Sequence, residues 1–452
     1  MIYKKYNINI PADVQFILET IEAYECEAYI VGGCVRDSLL NKEPKDYDIT
    51  TNLTPSQVYD TFYDLGCNVI ETGIKHGTVT VMINKVGYEI TTFRTDGIYE
   101  DNRHPSKVTF TNSLKDDLSR RDFTMNALAY NPKVGLVDYF NGMDDIESKM
   151  VKCVGNAKER FSEDALRILR GFRFCSQLGF SIEEETLIAG IKLKSKISKL
   201  SKERISSEIN KMLLAETDVL KMMIVFHILD EVIPEIYECL EVRQDNPYHN
   251  LNVFNHIMKS VKNIDKKIHL KLAMLFHDIT KPQHKTIDEN GIGHFYRHPE
   301  TSAELSTKIL KRLKYDNDTI EKVHTLILHH DREISSKKSI RKLLNLIGED
   351  LFNDLLKVKE ADIVAQSEEF YEERHLKLLD IKVKLDEILN NNECFSKSSL
   401  NINGKDLIEI GYIQGRVIGT ILDILMDKVL EDPTLNKKET LIILAKDMME
   451  YL

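Results

Sequence analysis

The sequence predicts an α+β fold: a small mixed-sheet head followed by segments that are all helical. Two patterns predict it. Strand-like runs such as Thr78–Ile83, where apolar and polar residues alternate, fall within about the first 140 residues. Beyond about residue 150, apolar residues recur every three or four positions, the spacing of amphipathic helices. Composition sets the class. In 452 residues, 42% are hydrophobic and 29% charged, as in an ordinary globular protein of two to four domains.

Residues 11–27 are expected to form a helix that leads into a first strand at Tyr29-Ile30-Val31. Gly32-Gly33 and a short helical pattern follow. Backbone N–H groups at such a strand-to-helix turn can face an anion, and Arg36 adds a fixed positive charge. After Pro44 comes Lys45-Asp46-Tyr47-Asp48-Ile49, read as strand. Side chains two apart share a strand face, so Asp46 and Asp48 are expected to project together. Paired carboxylates repel unless a cation sits between them, and Mg²⁺ suits such oxygen ligands.

Thr54-Pro55 predicts a helix start, with Thr54 as the cap. Glu89 lies among apolar residues in an expected central strand. It either pairs with a nearby arginine or stands as a third acid beside Asp46 and Asp48. Residues 95–117 read as a polar, irregular loop. Arg120-Arg121 then precede an apolar stretch, and guanidinium groups match phosphate oxygens. Residues 161–173 read as one helix capped by Ser162, with Asp164 and Arg167 as surface neighbours and Arg170 and Arg173 continuing the row. Amphipathic helices are expected over 182–197, 205–214 and 219–229, with a lysine-dense run at 192–202 suited to an RNA backbone.

The net charge of −11 places any positive field for nucleic acid locally. The 7 cysteines are scattered and odd in number, which argues for a reducing compartment and against a disulfide frame. No N-terminal signal peptide and no membrane span are read, so a cytoplasmic location is expected.

The motifs GG-x-V-R-D at 32–37 and D-x-D at 46–48, with RRDFT-x-NA at 120–127 and ED-x-x-R-x-x-R at 163–170, form a set. The set resembles the nucleotidyltransferase superfamily, in the branch of bacterial tRNA CCA-adding enzymes and poly(A) polymerases. The resemblance implies Mg²⁺ on Asp46 and Asp48, with Glu89 as a further catalytic acid. It implies triphosphate binding by Gly33, Arg36 and Arg121, with Asp122 and Asn126 bracing Arg121. Asp164 and Arg167 would read the base, supported by Arg170 and Arg173. The chemistry of that pair is general. Cytosine and adenine show an amine donor beside a ring-nitrogen acceptor, which suits an aspartate and an arginine. Guanine and uracil show the opposite pattern and would leave polar groups unsatisfied at about 1–3 kcal/mol each. The full-length 95–117 segment leans away from relatives that add only CC.

Further on, His256, His277-Asp278 and Asp362 follow the order of the HD superfamily of metal-dependent phosphohydrolases. That resemblance implies these four as ligands of a second divalent metal, with His298 and His329 as second-metal or substrate groups. Thr280 stands where such relatives commonly carry glycine. Spaced glycines at 411, 415 and 419 mark a C-terminal part that resembles the body-tail region gripping the tRNA elbow.

The expected division is a nucleotidyltransferase head at 1–148, a helical neck at 149–244, an HD domain at 245–370 and a helical tail at 371–452. The expected function is CCA addition to tRNA from CTP and ATP, with an HD phosphohydrolase activity beside it. Two alternatives stay open: an A-adding enzyme or poly(A) polymerase, and a tRNA-binding HD phosphohydrolase with an idle head. Neither DNA nor membrane is an expected partner, and no oligomeric state is assigned.

Overall fold

The computed structural model describes residues 2–3, 6–97, 108–215 and 218–449. Two units divide the chain, Met1–Pro234 and Glu235–Leu452.

The first unit is built on an eight-stranded sheet. In chain order its strands are β1 (Ile2–Tyr3), β2 (Ala28–Val31), β3 (Asp48–Thr51), β4 (Asn68–Gly73), β5 (Thr78–Ile83), β6 (Val86–Thr92), β7 (Leu128–Asn131) and β8 (Gly135–Asp138). Their spatial order is β1-β8-β7-β2-β3-β6-β5-β4. Only β3 and β6 pair in parallel, with Ile49 opposite Ile90; every other pair is antiparallel, so the sheet is mixed. All residues of β2, β7 and β8 are buried, which marks the middle of the sheet. Tyr29, Val31, Phe93, Leu118, Ala129 and Val137 form one core cluster beside it. Each large apolar side chain buried there contributes roughly 1.5–3 kcal/mol.

The helix α1 (Gly33–Leu39) leaves β2 directly. Its first turn depends on Gly32, whose φ of +78° a residue with a Cβ adopts only with strain. A Cβ there would also meet the Arg121 guanidinium at 2.8 Å. The helix expected at 11–27 spans Ala12–Glu22. Thr54 caps Pro55–Asp64 through a reciprocal capping box with Gln57, as its sequence predicts.

The loop expected at 95–117 contains regular structure. Arg94–Asp96 pairs antiparallel with Val108–Phe110, and Leu114–Ser119 is helical. Residues 98–107 lie outside the described residues.

The single helix expected at 161–173 is two helices. The first, α2, is Ala157–Glu163, capped by Asn156 rather than Ser162. Asp164 is extended (φ −138°, ψ 106°), and α3 runs over Leu166–Leu178. The Asp164 Oδ1 accepts the Leu166 N–H at 2.9 Å, so this residue opens the second helix instead of continuing the first. Further on lie Glu184–Leu193, a 3₁₀ stretch Lys194–Lys199, α4 (Lys202–Leu213) and Asp218–Val225.

Within the second unit the secondary-structure elements of the described residues are helices apart from a hairpin of Lys285–Ile287 with Gly293–Phe295. Five helices frame its interior: α5 (Val253–Asn263), α6 (Ile268–Phe276), α7 (His298–Arg312), α8 (Asn317–His329) and α9 (Glu349–Ala365). A separate apolar cluster joins Leu407, Ile421, Leu425, Val429 and Leu441 near the C-terminus.

Candidate nucleotide site and candidate metal centre

Asp46 lies just before β3 and Asp48 begins it; both are exposed, as is Glu89 on the neighbouring β6. Desolvation pushes the Asp48 carboxyl up, Arg121 opposes this, and Asp46 adds to it. Desolvation also raises Glu89, reinforced by Asp48 and then Asp46. The charges acting on Glu89 are therefore acids rather than a partner arginine. The trio is not among the groups whose ligand atoms close to within 4.8 Å of one another. Its oxygen-only donors and mutual repulsion fit a hard divalent cation.

Around the glycine turn, four polar side chains form one chain of contacts. The Arg36 Nη1 donates to Asn126 Oδ1 at 2.6 Å, and the Asn126 Nδ2 donates to Asp122 Oδ1 at 3.0 Å. The Asp122 Oδ2 accepts from Arg170 Nε at 2.8 Å. Asp122 and Asn126 thus brace Arg36 and Arg170, not Arg121 as expected. Burial alone would raise the Asp122 carboxyl, but Arg170 and the Asn126 hydrogen bond hold it down at about 2. Arg121 instead faces Asp117, 3.7 Å away. Asp117 is fully buried and also takes the Arg120 Nη2 at 2.8 Å.

The base-reading candidates are held separately. Arg204 of α4 places Nη2 2.8 Å from Asp164 Oδ2. Arg167 donates to Glu163 Oε2 at 2.5 Å and to the backbone carbonyls of Arg160 and Arg120. Arg173 lies 2.8 Å from Glu208, out of hydrogen-bond alignment. Sequence reasoning missed Asp117, Glu163, Arg204 and Glu208. Glu163 stands in the motif itself, and Asp117 lies three and four residues before the arginines it faces; Arg204 and Glu208 become visible only through non-local contacts.

The second unit gathers a buried His/Asp cluster. Ligand atoms of His256, His277 and Asp278 lie within 4.8 Å of one another, as do those of Asp278, His298 and His330. Asp362 joins the first group, with Oδ1 2.9 Å from His256 Nε2 and 3.6 Å from His277 Nε2. Asp278 joins the two groups: its Oδ2 lies 3.3 Å from His277 and its Oδ1 3.2 Å from His298. Each of the four histidines turns Nδ1 to a backbone carbonyl, of Ala365, Met274, Phe295 and Ile327 in sequence order. That assignment leaves Nε2 as an acceptor pointing inward. His256 and His277 then face each other at 3.2 Å, and His298 and His330 at 3.3 Å, lone pair to lone pair. A divalent metal between them removes that conflict, so the donors fit one.

His330, not His329, completes the second group. His329 lies one residue away on α8, and burial lowers its imidazole to about 4. His294 stacks on Tyr296 and pairs with Asp288, and it belongs to neither ligand group. Thr280 bonds Ser302 and Thr301, so its side chain stabilises the turn after Asp278. A cavity of about 650 Å³ opens on the cluster, lined in part by Lys281, Arg297, Arg332 and Arg374.

Residues 28–152 match the family described as the poly A polymerase head domain. The head is similar to that family over this stretch. Beyond the poly A polymerase head domain, residues 179–240 match a probable RNA and SrmB-binding site of polymerase A. Residues 289–445 match a tRNA nucleotidyltransferase domain 2, described as putative. That segment holds His298, His330 and Asp362, while His256, His277 and Asp278 precede it.

A CCA-adding enzyme of Lactobacillus delbrueckii subsp. bulgaricus is 50% identical over 200 residues, 44% of this chain and 50% of that one. One from Enterococcus faecalis is 48% identical over 198 residues, covering 44% and 48%. The chain spans about half the length of the curated relatives it matches. In fold, the Bacillus stearothermophilus CCA-adding enzyme in complex with CTP covers 98% of this chain and 99% of its own, with TM-score 0.67 and 24% identity. The Thermotoga maritima CCA-adding enzyme complexed with tRNA covers 97% and 96%, with TM-score 0.60 and 18% identity. The fold is therefore that of these proteins: a mixed α/β head followed by a mostly helical region. No described helix is long and apolar enough to cross a membrane.

Proposed function

We propose that this protein is a template-independent tRNA nucleotidyltransferase that adds CCA to tRNA 3′ ends from CTP and ATP. One observation carries the reading. Asp48 begins β3 and Asp46 lies two residues before it, next to the strand whose glycine turn leads to Arg36, within the stretch that matches the poly A polymerase head domain. Support comes from the relatives named CCA-adding enzymes, which share half their sequence over the aligned part. Asp46 and Asp48 would hold Mg²⁺, which when bound acidifies the RNA 3′-hydroxyl and offsets phosphate charge. Gly33, Arg36 and Arg121 hold the triphosphate, with Arg170 and Arg173 in support. Asp164 accepts from the exocyclic amine and Arg167 donates to the ring nitrogen. The RNA hydroxyl attacks the α-phosphate in line, a new phosphodiester forms, and pyrophosphate leaves. Glu89 serves as the third acid. The acceptor stem and elbow are read by shape, because A-form grooves hide base identity from side chains. In this reading the four parts of the chain are head, neck, HD domain and tail, as the sequence divides them.

Incubation with tRNA ending at the discriminator base tests this, with CTP and ATP supplied singly and together. The expected products are CC with CTP alone and CCA with both. Addition of A alone would favour the A-adding alternative, and no addition would leave an idle head.

A second reading rests on the buried cluster and the cationic cavity it faces: a metal-dependent phosphohydrolase of the HD type. His256, His277, Asp278 and Asp362 would hold one divalent metal, and Asp278, His298 and His330 a second. Release of phosphate from a nucleoside monophosphate, absent in His277→Ala, is the expected result.

A further inference from the structure

Phe174, the residue after Arg173 and four past the last motif arginine, stands where three guanidinium groups meet. The Cζ atoms of Arg173, Arg36 and Arg170 lie 4.1, 5.0 and 5.4 Å from its ring centre. The ring is buried and sits edge-to-face on Phe123, at 5.7 Å and 83°. Each arginine has its own carboxylate: Asp37 for Arg36 at 2.7 Å, Asp122 for Arg170 at 2.6 Å, and Glu208 for Arg173 at 2.8 Å. Among these contacts, the one group that all three share is the ring.

Three like charges in so small a volume repel. Their carboxylates offset the charge one by one; Asp122, through Asn126, ties Arg36 to Arg170, but that chain does not include Arg173, whose carboxylate is Glu208. An aromatic face carries negative charge density and attracts a cation without occupying its hydrogen-bond donors. A ring between guanidinium groups therefore collects them and leaves their remaining N–H groups for phosphate oxygens. A leucine of similar apolar character would fill the space without that attraction.

We propose that Phe174 is the positioning residue of the triphosphate site, its ring gathering Arg36, Arg170 and Arg173 into one anion-binding cluster. This rests on the reading that these arginines hold the nucleotide's phosphates. Phe174 touches neither substrate nor reacting atoms. It sets where the arginines stand and is indifferent to which base enters.

The test uses the full chain and two readouts: incorporation kinetics, and calorimetric binding of inorganic pyrophosphate with Mg²⁺. Phe174→Leu is expected to raise KM for CTP and ATP equally and to weaken pyrophosphate binding, each about tenfold. Phe174→Tyr keeps the ring face and is expected to restore both. Base choice is unchanged in either variant. A folded Phe174→Leu with normal KM and normal pyrophosphate binding overturns the proposal and makes the ring a core side chain only. Arg36→Lys and Arg173→Lys supply a check that leaves Phe174 in place. Their effects on pyrophosphate binding are expected to be non-additive, because both cations lean on one ring; strict additivity overturns the proposal. Wild-type protein that binds pyrophosphate but incorporates no nucleotide sinks the transferase reading and leaves the cluster standing. Wild-type protein that binds no pyrophosphate overturns both.

Discussion

Arg204 grips Asp164 from a different helix, its Nη2 2.8 Å from the carboxylate Oδ2. The other oxygen accepts the Leu166 N–H at 2.9 Å. A carboxylate has about four acceptor positions, and each of its oxygens here has one fixed, which sets the plane of the group. In the base-reading role proposed for Asp164 a fixed plane matters, because a freely turning carboxylate would admit poorer partners. Arg204→Ala is therefore expected to relax discrimination, with UTP incorporation rising relative to CTP by on the order of tenfold. Arg204→Lys should recover part of it. Single-nucleotide incorporation with each of the four triphosphates measures this, and an unchanged CTP-to-UTP ratio would remove Arg204 from the specificity apparatus.

The two proposed metal sites should fail independently, since they belong to separate units. Asp46→Ala is expected to lower nucleotide incorporation by about 10³-fold or more, as loss of a metal-holding acid does. Metal bound by the His/Asp centre should be unaffected. Elemental analysis alongside the incorporation assay checks both halves. Surviving incorporation would mean that Asp46 does not hold the catalytic cation.

Acid should expose the Asp122 network. Its carboxyl is held at about 2 in the folded protein by Arg170 and Asn126 against the effect of burial. An unfolded aspartate titrates near ~3.9. The folded pKa is the lower one, so the stabilisation is fully present above about pH 4 and is lost as pH falls through about 2. Its size is about 2–3 kcal/mol. Asp122→Asn is expected to lower the melting temperature at neutral pH, and the gap to wild type should narrow between pH 4 and pH 2. A gap that stays constant over that interval would show that the pairing contributes no proton-linked stability.

What was legible in the sequence was local. The Thr54-Pro55 start carries its own capping partner, Gln57, three residues on, and the helix begins there. Strand alternation located β5, and the glycine pair located the turn into α1. The break at Asp164 was not legible, because Ser162 and the arginine spacing both suit a continuous helix. One of the two groups fixing the Asp164 carboxylate is Arg204, 40 positions away. The bracing of Arg36 by Asn126 spans 90 positions and leaves no periodic trace. Spacing within one element finds which residue types share a site. It does not say which of them touch.

His329 and His330 make the same point at its smallest scale. Adjacent helical residues point about 100° apart, so only one of a His-His pair can complete a compact site. His330 turns Nδ1 to the Ile327 carbonyl and brings Nε2 to 3.3 Å from His298 and 3.7 Å from Asp278. His329 has no atom in that group. His330→Ala is therefore expected to reduce the Mn²⁺ held by the His/Asp centre from two ions to one, counted in an Asp46→Ala background so that the head does not contribute, and to abolish phosphate release. His329→Ala should retain both ions. The comparison is informative because the two substitutions remove the same side chain from neighbouring buried positions, so a general loss of packing would affect them alike. Equal loss of metal in the two variants would mean that the second ion is not held by Asp278, His298 and His330.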